Sequence, residues 1–356
     1  MKSETASFKI CIPIPYQRQG GMHTFMYNFR NWLDGQGIRH TDDPQANFDI
    51  LFVNSWAVPY QLVRQVKTDN PSVRIVQRVD GSARDYGRFD DADDCQARVN
   101  MLADLTIMQS EYSRFSTTQK FRLIRQSGPV IYNPVDVDLF HPNSAPHHLQ
   151  KPIRICNASF SLGKKKGTWQ IGDLACRNPD ITFVLCGRYP PLPDLPNIEL
   201  LGHLDRPDLA AAMRSCHLFM HLAENDPCPN VVLEGLASGL PVLYIDSGGT
   251  PELVADCGLP MTIDTFRSQV EAILERHGQL AQAARTRAET NFNPDLIFKQ
   301  YLEAFAQAKR RSLPTYADFI AASRQGYPVI AYRPRQLYWL AKRWLSQTVL
   351  RRSARL

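Results

Sequence analysis

Short apolar runs alternate along this chain with longer stretches whose apolar residues recur at three- and four-residue spacing. In the first half the runs are Phe8 to Ile14, Asp49 to Asn54, Arg74 to Val79 and Leu105 to Gln109. In the second they are Ile153 to Ala158, Ile181 to Cys186, Asn197 to Leu201, Leu218 to Leu222 and Val242 to Ile245. Asp49 to Asn54, Ile181 to Cys186 and Val242 to Ile245 are almost wholly apolar, which predicts strands covered on both faces, as in parallel sheets. Helical spacing falls at Met22 to Leu33, Tyr60 to Lys67, Cys95 to Ala103, Trp169 to Cys176, Asp208 to Ser215, Arg267 to Ala288 and Asp295 to Arg310. Strand and helix taking turns in both halves predicts an α/β protein of two Rossmann-like parallel-sheet domains facing a cleft. Residues 143–151, NSAPHHLQK, lack periodicity and serve as the linker. The expected division is 1–145, 146–308, and a tail, 309–356, that returns to the first domain.

Composition narrows the class. A chain of 356 residues with 44% hydrophobic and 21% charged content is that of a soluble globular protein with room for two cores. No apolar run is long enough to span a bilayer, and MKSETASFKICIPIP lacks a signal-peptide core, so a cytoplasmic location is expected. The eight cysteines form no C-x-x-C pair and are expected to be reduced and mostly buried. Net charge is +6, but residues 309–356 carry +10 and leave the rest at −4, so no nucleic-acid partner is expected. From Arg335 to Arg352, Leu337, Leu340, Trp344 and Leu345 share a helical face beside Lys342, Arg343, Arg351 and Arg352. Segment 333–356 therefore suits either an anionic membrane surface, giving a peripheral protein on the inner membrane face, or packing on the first domain.

The densest chemistry lies between Leu222 and Val254, LAENDPCPNVVLEGLASGLPVLYIDSGGTPELV. Asp226 is placed to cap a helix that Pro227 or Pro229 begins and Gly239 ends; Thr250 and Pro251 begin another. Free amides at such starts, here those of Asn230 and Val231, favour a phosphate. Glu234, inside the first helix, can accept two hydrogen bonds from the vicinal hydroxyls of a ribose or sugar. Equally, Asp226 can be a cap and Glu234 a solvated helix residue.

Further candidates stand at strand ends, where ligands of open α/β sheets bind. Gly20 and Gly21 sit in a loop between the first strand and helix, which either admits a ligand or makes a plain turn. Asp80 ends the strand Arg74 to Val79. Lys164, Lys165 and Lys166 with Gly167 follow the strand Ile153 to Ala158 and suit a diphosphate, or form a solvated basic turn. Gly187 and Arg188 end the strand Ile181 to Cys186. There is no G-x-G-x-x-G for a dinucleotide, His217 and His221 have no companion ligands, and no metal-binding Asp-x-Asp site is expected.

The spacing of Asp226, seven residues and Glu234, then GLASGLPV (Gly235 to Val242) and Gly248, Gly249 and Glu252, resembles the signature of the family 4 retaining glycosyltransferases. The resemblance runs from Lys9 to about Ala308 and implies the two-domain GT-B fold. Three positions depart from the pattern: Asp226 replaces the usual Glu, Val79 precedes Asp80 where a His is usual, and Ser161 stands where an Arg is common.

The resemblance implies a transferase that moves a sugar, with retention, from a nucleoside diphosphate sugar to the hydroxyl of a glycan, a lipid-linked glycan or a small molecule. It assigns donor hydroxyls to Glu234, the departing diphosphate to Lys166 with the amides at Asn230 and Val231, the helix mouth to Asp226 and the acceptor side to Asp80. The donor is a co-substrate, and neither cofactor nor metal is expected. A nucleotide-sugar epimerase on the same fold and a non-catalytic sugar-nucleotide-binding protein are the alternatives.

Overall fold

A computed structural model describes residues 8–15, 20–88, 90–142 and 151–330. The first sheet is built from β1 (Ile10–Cys11), β2 (His40–Thr41), β3 (Ile50–Asn54), β4 (Arg74–Val79) and β5 (Leu105–Met108), in the order β2-β1-β3-β4-β5 and parallel throughout. Its crossovers are α1 (Gly20–Gly35), α2 (Tyr60–Asp69) and α3 (Ala92–Leu102), and α4 (Glu111–Phe115) follows β5. Every residue of β3 is buried, as its unbroken apolar run requires.

The second sheet contains β6 (Ile153–Ser159), β7 (Ile181–Gly187), β8 (Ile198–Gly202), β9 (Leu218–His221), β10 (Val242–Tyr244) and β11 (Gly258–Pro260). It is also parallel, in the order β11-β10-β9-β6-β7-β8. Around it lie α5 (Ile171–Arg177), α6 (Arg206–Arg214), α7 (Asn230–Ala237), α8 (Thr250–Val254), α9 (Phe266–Glu275) and α10 (His277–Asn291). Strand order reverses at β1 in the first sheet and at β6 in the second, and the crevice of such sheets opens beyond the strand ends at those points. From β6 the chain enters the lysine turn, and from β9 it enters the segment carrying Asp226.

Several expected boundaries shift for physical reasons. The run Phe8 to Ile14 pairs only at Ile10 and Cys11; Pro13 has no N–H for a ladder, and the Arg30 side chain donates instead to the carbonyls of Ile12 and Ile14. Gly20 and Gly21 form the first turn of α1 and not a loop before it. The helical stretch Arg267 to Ala288 breaks at Arg276 into α9 and α10. Six of the eight cysteines are buried, as expected of most of them.

The return to the first domain precedes residue 309. The last two helices are α11 (Pro294–Gln307) and α12 (Tyr316–Arg324). On α11, Phe298, Tyr301 and Phe305 are buried in the first core against Phe25, Phe29 and Phe52, with ring centroids 5.0–6.2 Å apart. On α12, Ala322 packs with Ala97 and Met101 of α3. The tail segment 333–356 lies outside the described residues.

Candidate active site

The segment between β9 and α7 is the floor of the cleft, and three glycines fix its path. A Cβ on Gly167, which ends the lysine turn at φ +66°, would lie 2.2 Å from the Leu222 carbonyl oxygen. One on Gly248, at φ +71°, would lie 2.4 Å from the Asp226 carbonyl oxygen, and one on Gly249 2.0 Å from that of Pro227. These motif glycines permit backbone to pack on backbone. Their effect is to hold the lysine turn and the Gly248–Gly249 turn against the Asp226 segment, aided by a hydrogen bond from the Glu224 amide to the Lys165 carbonyl of 2.7 Å.

Asp226 is not the helix cap. Pro229 precedes the helix in extended conformation with no side-chain cap, and α7 begins at Asn230. A residue before proline is driven away from helical angles, and Asp226 and Cys228 each precede one. The Asp226 carboxylate, 9% exposed, instead accepts from Lys166 Nζ at 2.8 Å and from the Tyr86 hydroxyl, which crosses from the first domain. Burial opposes its charge, but Lys166, with the Tyr86 hydroxyl donating beside it, outweighs burial and keeps the carboxyl below the usual range. Burial drives His221 down to about 4, so it is neutral, with Nδ1 3.1 Å from the Thr250 hydroxyl. That bond explains Thr250, which is the first residue of α8 and not its cap.

Glu234 lies about one turn into α7 and is 7% exposed. Burial raises its pKa to about 7; Arg206, with Nη1 3.4 Å away, pulls the other way, and Asp136 adds to the rise. A carboxyl so placed can donate as well as accept near neutral pH. It lines a narrow gap between the domains, together with Thr24, Phe25 and Asn28 of α1, Asn133, Arg206 and Asn230. Across that space the Asn133 side chain donates to Asn230 Oδ1 at 2.8 Å, and a Cβ on Gly21 would lie 3.7 Å from Asn230 Nδ2. The starts of α1 and α7 thus face each other across the domains.

Asp80 is held from behind. Arg78 pairs with its Oδ1, Asn54 donates to Oδ2 at 2.6 Å, and the Asp80 amide donates to the Ser55 hydroxyl at 2.8 Å. Arg78 is 1% exposed, and its other donors reach Asn54 (2.7 Å), Gln109 (3.0 Å), Tyr301 (3.1 Å) and Asn133. Val79, at the position of the usual histidine, is fully buried.

The structure brings Lys166, Asp226, Glu234, Asn230, Val231 and Gly21 around the start of α7. It leaves Lys164 exposed on a 3₁₀ turn and Arg188 exposed beyond β7. Gly187, at φ +110°, lies against Ser159, where a Cβ would be 2.0 Å from the carbonyl oxygen, so its role is packing β7 on β6. Two Asp-x-Asp spacings occur, and each has an acid tied to the protein. The Asp93 carboxylate accepts from Ser82, from the Ala83 amide and from Gln96, and Asp136 accepts from the Leu139 amide. Among the described residues no group of three or more His, Cys, Asp or Glu is arranged to hold a metal ion.

Three important residues escape sequence reasoning. Arg206 reads as one more surface charge at the start of α6. Arg78 carries a signal, a charge inside an apolar strand. Glu252 belongs to the glycine-turn motif, but its partners are far away in sequence: it accepts from the amides of Glu111 (2.9 Å) and Tyr112 (2.8 Å) and from the Tyr132 hydroxyl (3.0 Å).

Comparison with known proteins follows the same outline. Residues 170–279 match the model of the glycosyl transferases group 1 family. A GDP-mannose-dependent alpha-mannosyltransferase of Mycolicibacterium smegmatis is 32% identical over 149 residues, which is 39% of this chain and 40% of that protein's length. Sucrose-phosphate synthase from Thermosynechococcus elongatus superposes on 84% of this chain and 98% of its own, with 14% identity and a TM-score of 0.69. Anabaena HepE, solved with UDP and glucose, covers 84% of this chain and 99% of its own at 15% identity, with a TM-score of 0.66. At those identities the two structures speak for the fold alone. Over residues 170–279 the chain is therefore similar to the glycosyl transferases group 1 family, and its paired parallel sheets have the GT-B fold.

Proposed function

We propose that the protein is a glycosyltransferase that moves a sugar from a nucleoside diphosphate sugar to the hydroxyl of a glycan, lipid-linked or small-molecule acceptor, with retained anomeric configuration and without a divalent ion. The observation that carries this reading is the convergence of Lys166, Asp226 and Glu234 on the start of α7, inside a cleft between two parallel sheets. As the bond from the sugar C1 to the diphosphate breaks, its electron pair goes to the phosphate. Lys166 and the amides at Asn230 and Val231 meet that charge. Glu234 holds donor hydroxyls, Asp226 orients Lys166, and Asp80, fixed by Arg78, lines the acceptor side. The mannosyltransferase relative is named for GDP-mannose and HepE was solved with UDP, so both bases belong in the test.

Thermal-shift screening of UDP-, GDP- and ADP-sugars finds the donor; transfer with and without EDTA, and the anomeric configuration of the product by NMR, then test the reaction. Glu234→Ala is expected to abolish transfer with the fold intact, and full activity in that variant refutes the site. Interconversion of the free donor with no acceptor added marks an epimerase instead. Membrane attachment through 333–356 is a separate proposal, read from binding to anionic vesicles before and after removing that segment. Among the described residues no helix is long and apolar enough to cross a membrane.

A further inference from the structure

A nucleoside diphosphate brings two or more negative charges into a cleft whose walls already carry Asp80, Asp226 and Glu234. The cations at hand are unequal. Lys166 is bound to Asp226 at 2.8 Å. Arg78 is buried and has a partner on each of its nitrogens. Arg206 differs from both. Its guanidinium rests on the buried Phe140 ring, 5.1 Å from the centroid, with the side chain 23% exposed at the opening between the domains. Among the described residues its one acidic contact is Glu234 at 3.4 Å, long for an ion pair of any strength.

Helix α6 sets this position: Asp205 caps it by accepting from the Asp208 amide at 2.9 Å, which makes Arg206 the first helical residue and directs it towards α7. Packing on Phe140 rather than a strong carboxylate partner therefore holds a cation in place beside the proposed donor site.

We infer that Arg206 is a donor-binding residue, which takes the diphosphate from the α6 side while Glu234 exchanges its contact with Arg206 for a donor hydroxyl. The inference rests on the functional reading above and adds to it a residue and an exchange. The near-neutral titration of Glu234 favours the exchange, since a carboxyl close to its neutral form gives up an arginine at little cost.

The test is equilibrium binding of UDP and GDP to the full chain and to its Arg206→Lys and Arg206→Gln variants at low and high salt, with uridine and guanosine as phosphate-free controls. Arg206→Gln is expected to weaken diphosphate binding roughly tenfold to a hundredfold and to flatten its salt dependence. Arg206→Lys is expected to stay within a few-fold of the parent, and nucleoside binding to be equal in all three. Unchanged diphosphate affinity in a folded Arg206→Gln protein overturns the inference while leaving the donor reading standing. A loss equal for nucleoside and diphosphate also overturns it, since that marks a distorted pocket. Failure of the parent chain to bind any nucleoside diphosphate overturns the functional reading itself.

Discussion

Replacing Glu252 by alanine removes one carboxylate that joins the two domains. In the folded chain it accepts from the Glu111 amide at 2.9 Å, the Tyr112 amide at 2.8 Å and the Tyr132 hydroxyl at 3.0 Å, all three from the first domain. The two amides are the free donors at the start of α4, so the carboxylate also meets the positive end of that helix. A hydrogen bond to a charged group contributes about 1.5–3 kcal/mol net. The three bonds share a single partly exposed carboxylate, and water can reach the Glu111 amide once it is gone, so about 2–3 kcal/mol in total is the reasonable figure. That corresponds to roughly 30- to 150-fold in the opening equilibrium at this contact. Other bonds along the seam survive, among them Tyr112 to Asn225 at 3.0 Å and Asn133 to Asn230 at 2.8 Å, so the domains stay together. Amide hydrogen exchange reads this directly. Protection at Glu111 and Tyr112 is expected to fall by that factor in Glu252→Ala, with the amides of β3 and β4 unchanged; Glu252→Gln, which keeps an acceptor but loses the charge, is expected to fall between. Unchanged exchange at the two amides, or an equal loss throughout the first sheet, refutes the reasoning.

Two further outcomes follow from buried charge. Burial raises Glu234 from 4.5 to about 7 in the folded chain, so the folded state holds the proton more tightly than the unfolded one. The stability this contributes is fully present below about pH 4.5 and is lost as pH rises through about 7, a swing on the order of 3 kcal/mol. Glu234→Gln is expected to melt above the parent at neutral and higher pH, with the gap closing below about pH 5; a pH-independent difference across a series of melts counts against it. Arg78→Lys leaves Asp80, Gln109, Asn133 and Tyr301 competing for one ammonium, and a loss of about 3 kcal/mol in denaturant unfolding is expected. Unfolding like that of the parent would show that the network tolerates a point charge.

The parts of this molecule that were legible in the sequence are those written in nearest-neighbour patterns. Unbroken apolar runs place the strands, and Gly239, at φ +71° just after α7, ends that helix where a glycine should. The Asp226 error is instructive because the signal was present: Pro227 and Pro229 each keep the residue before them extended, so no helix can begin until both are passed. Arg206 to Glu234 and Glu252 to α4 are different in kind. They join residues 28 and about 140 apart, and only the tertiary fold brings them together. The same holds for α11, whose apolar face is visible in the sequence although the domain it serves is not.

That helix has a consequence for how the protein is made. Phe298, Tyr301 and Phe305 complete the core around Phe29 and Phe52, so the first domain cannot close until nearly all of residues 8–305 have left the ribosome. The second sheet, whose strands lie between Ile153 and Pro260, is finished earlier in synthesis. Domains usually fold in the order of their emergence; here the half made first waits for the half made second, and its exposed aromatic face is the surface a chaperone would have to cover in the interval.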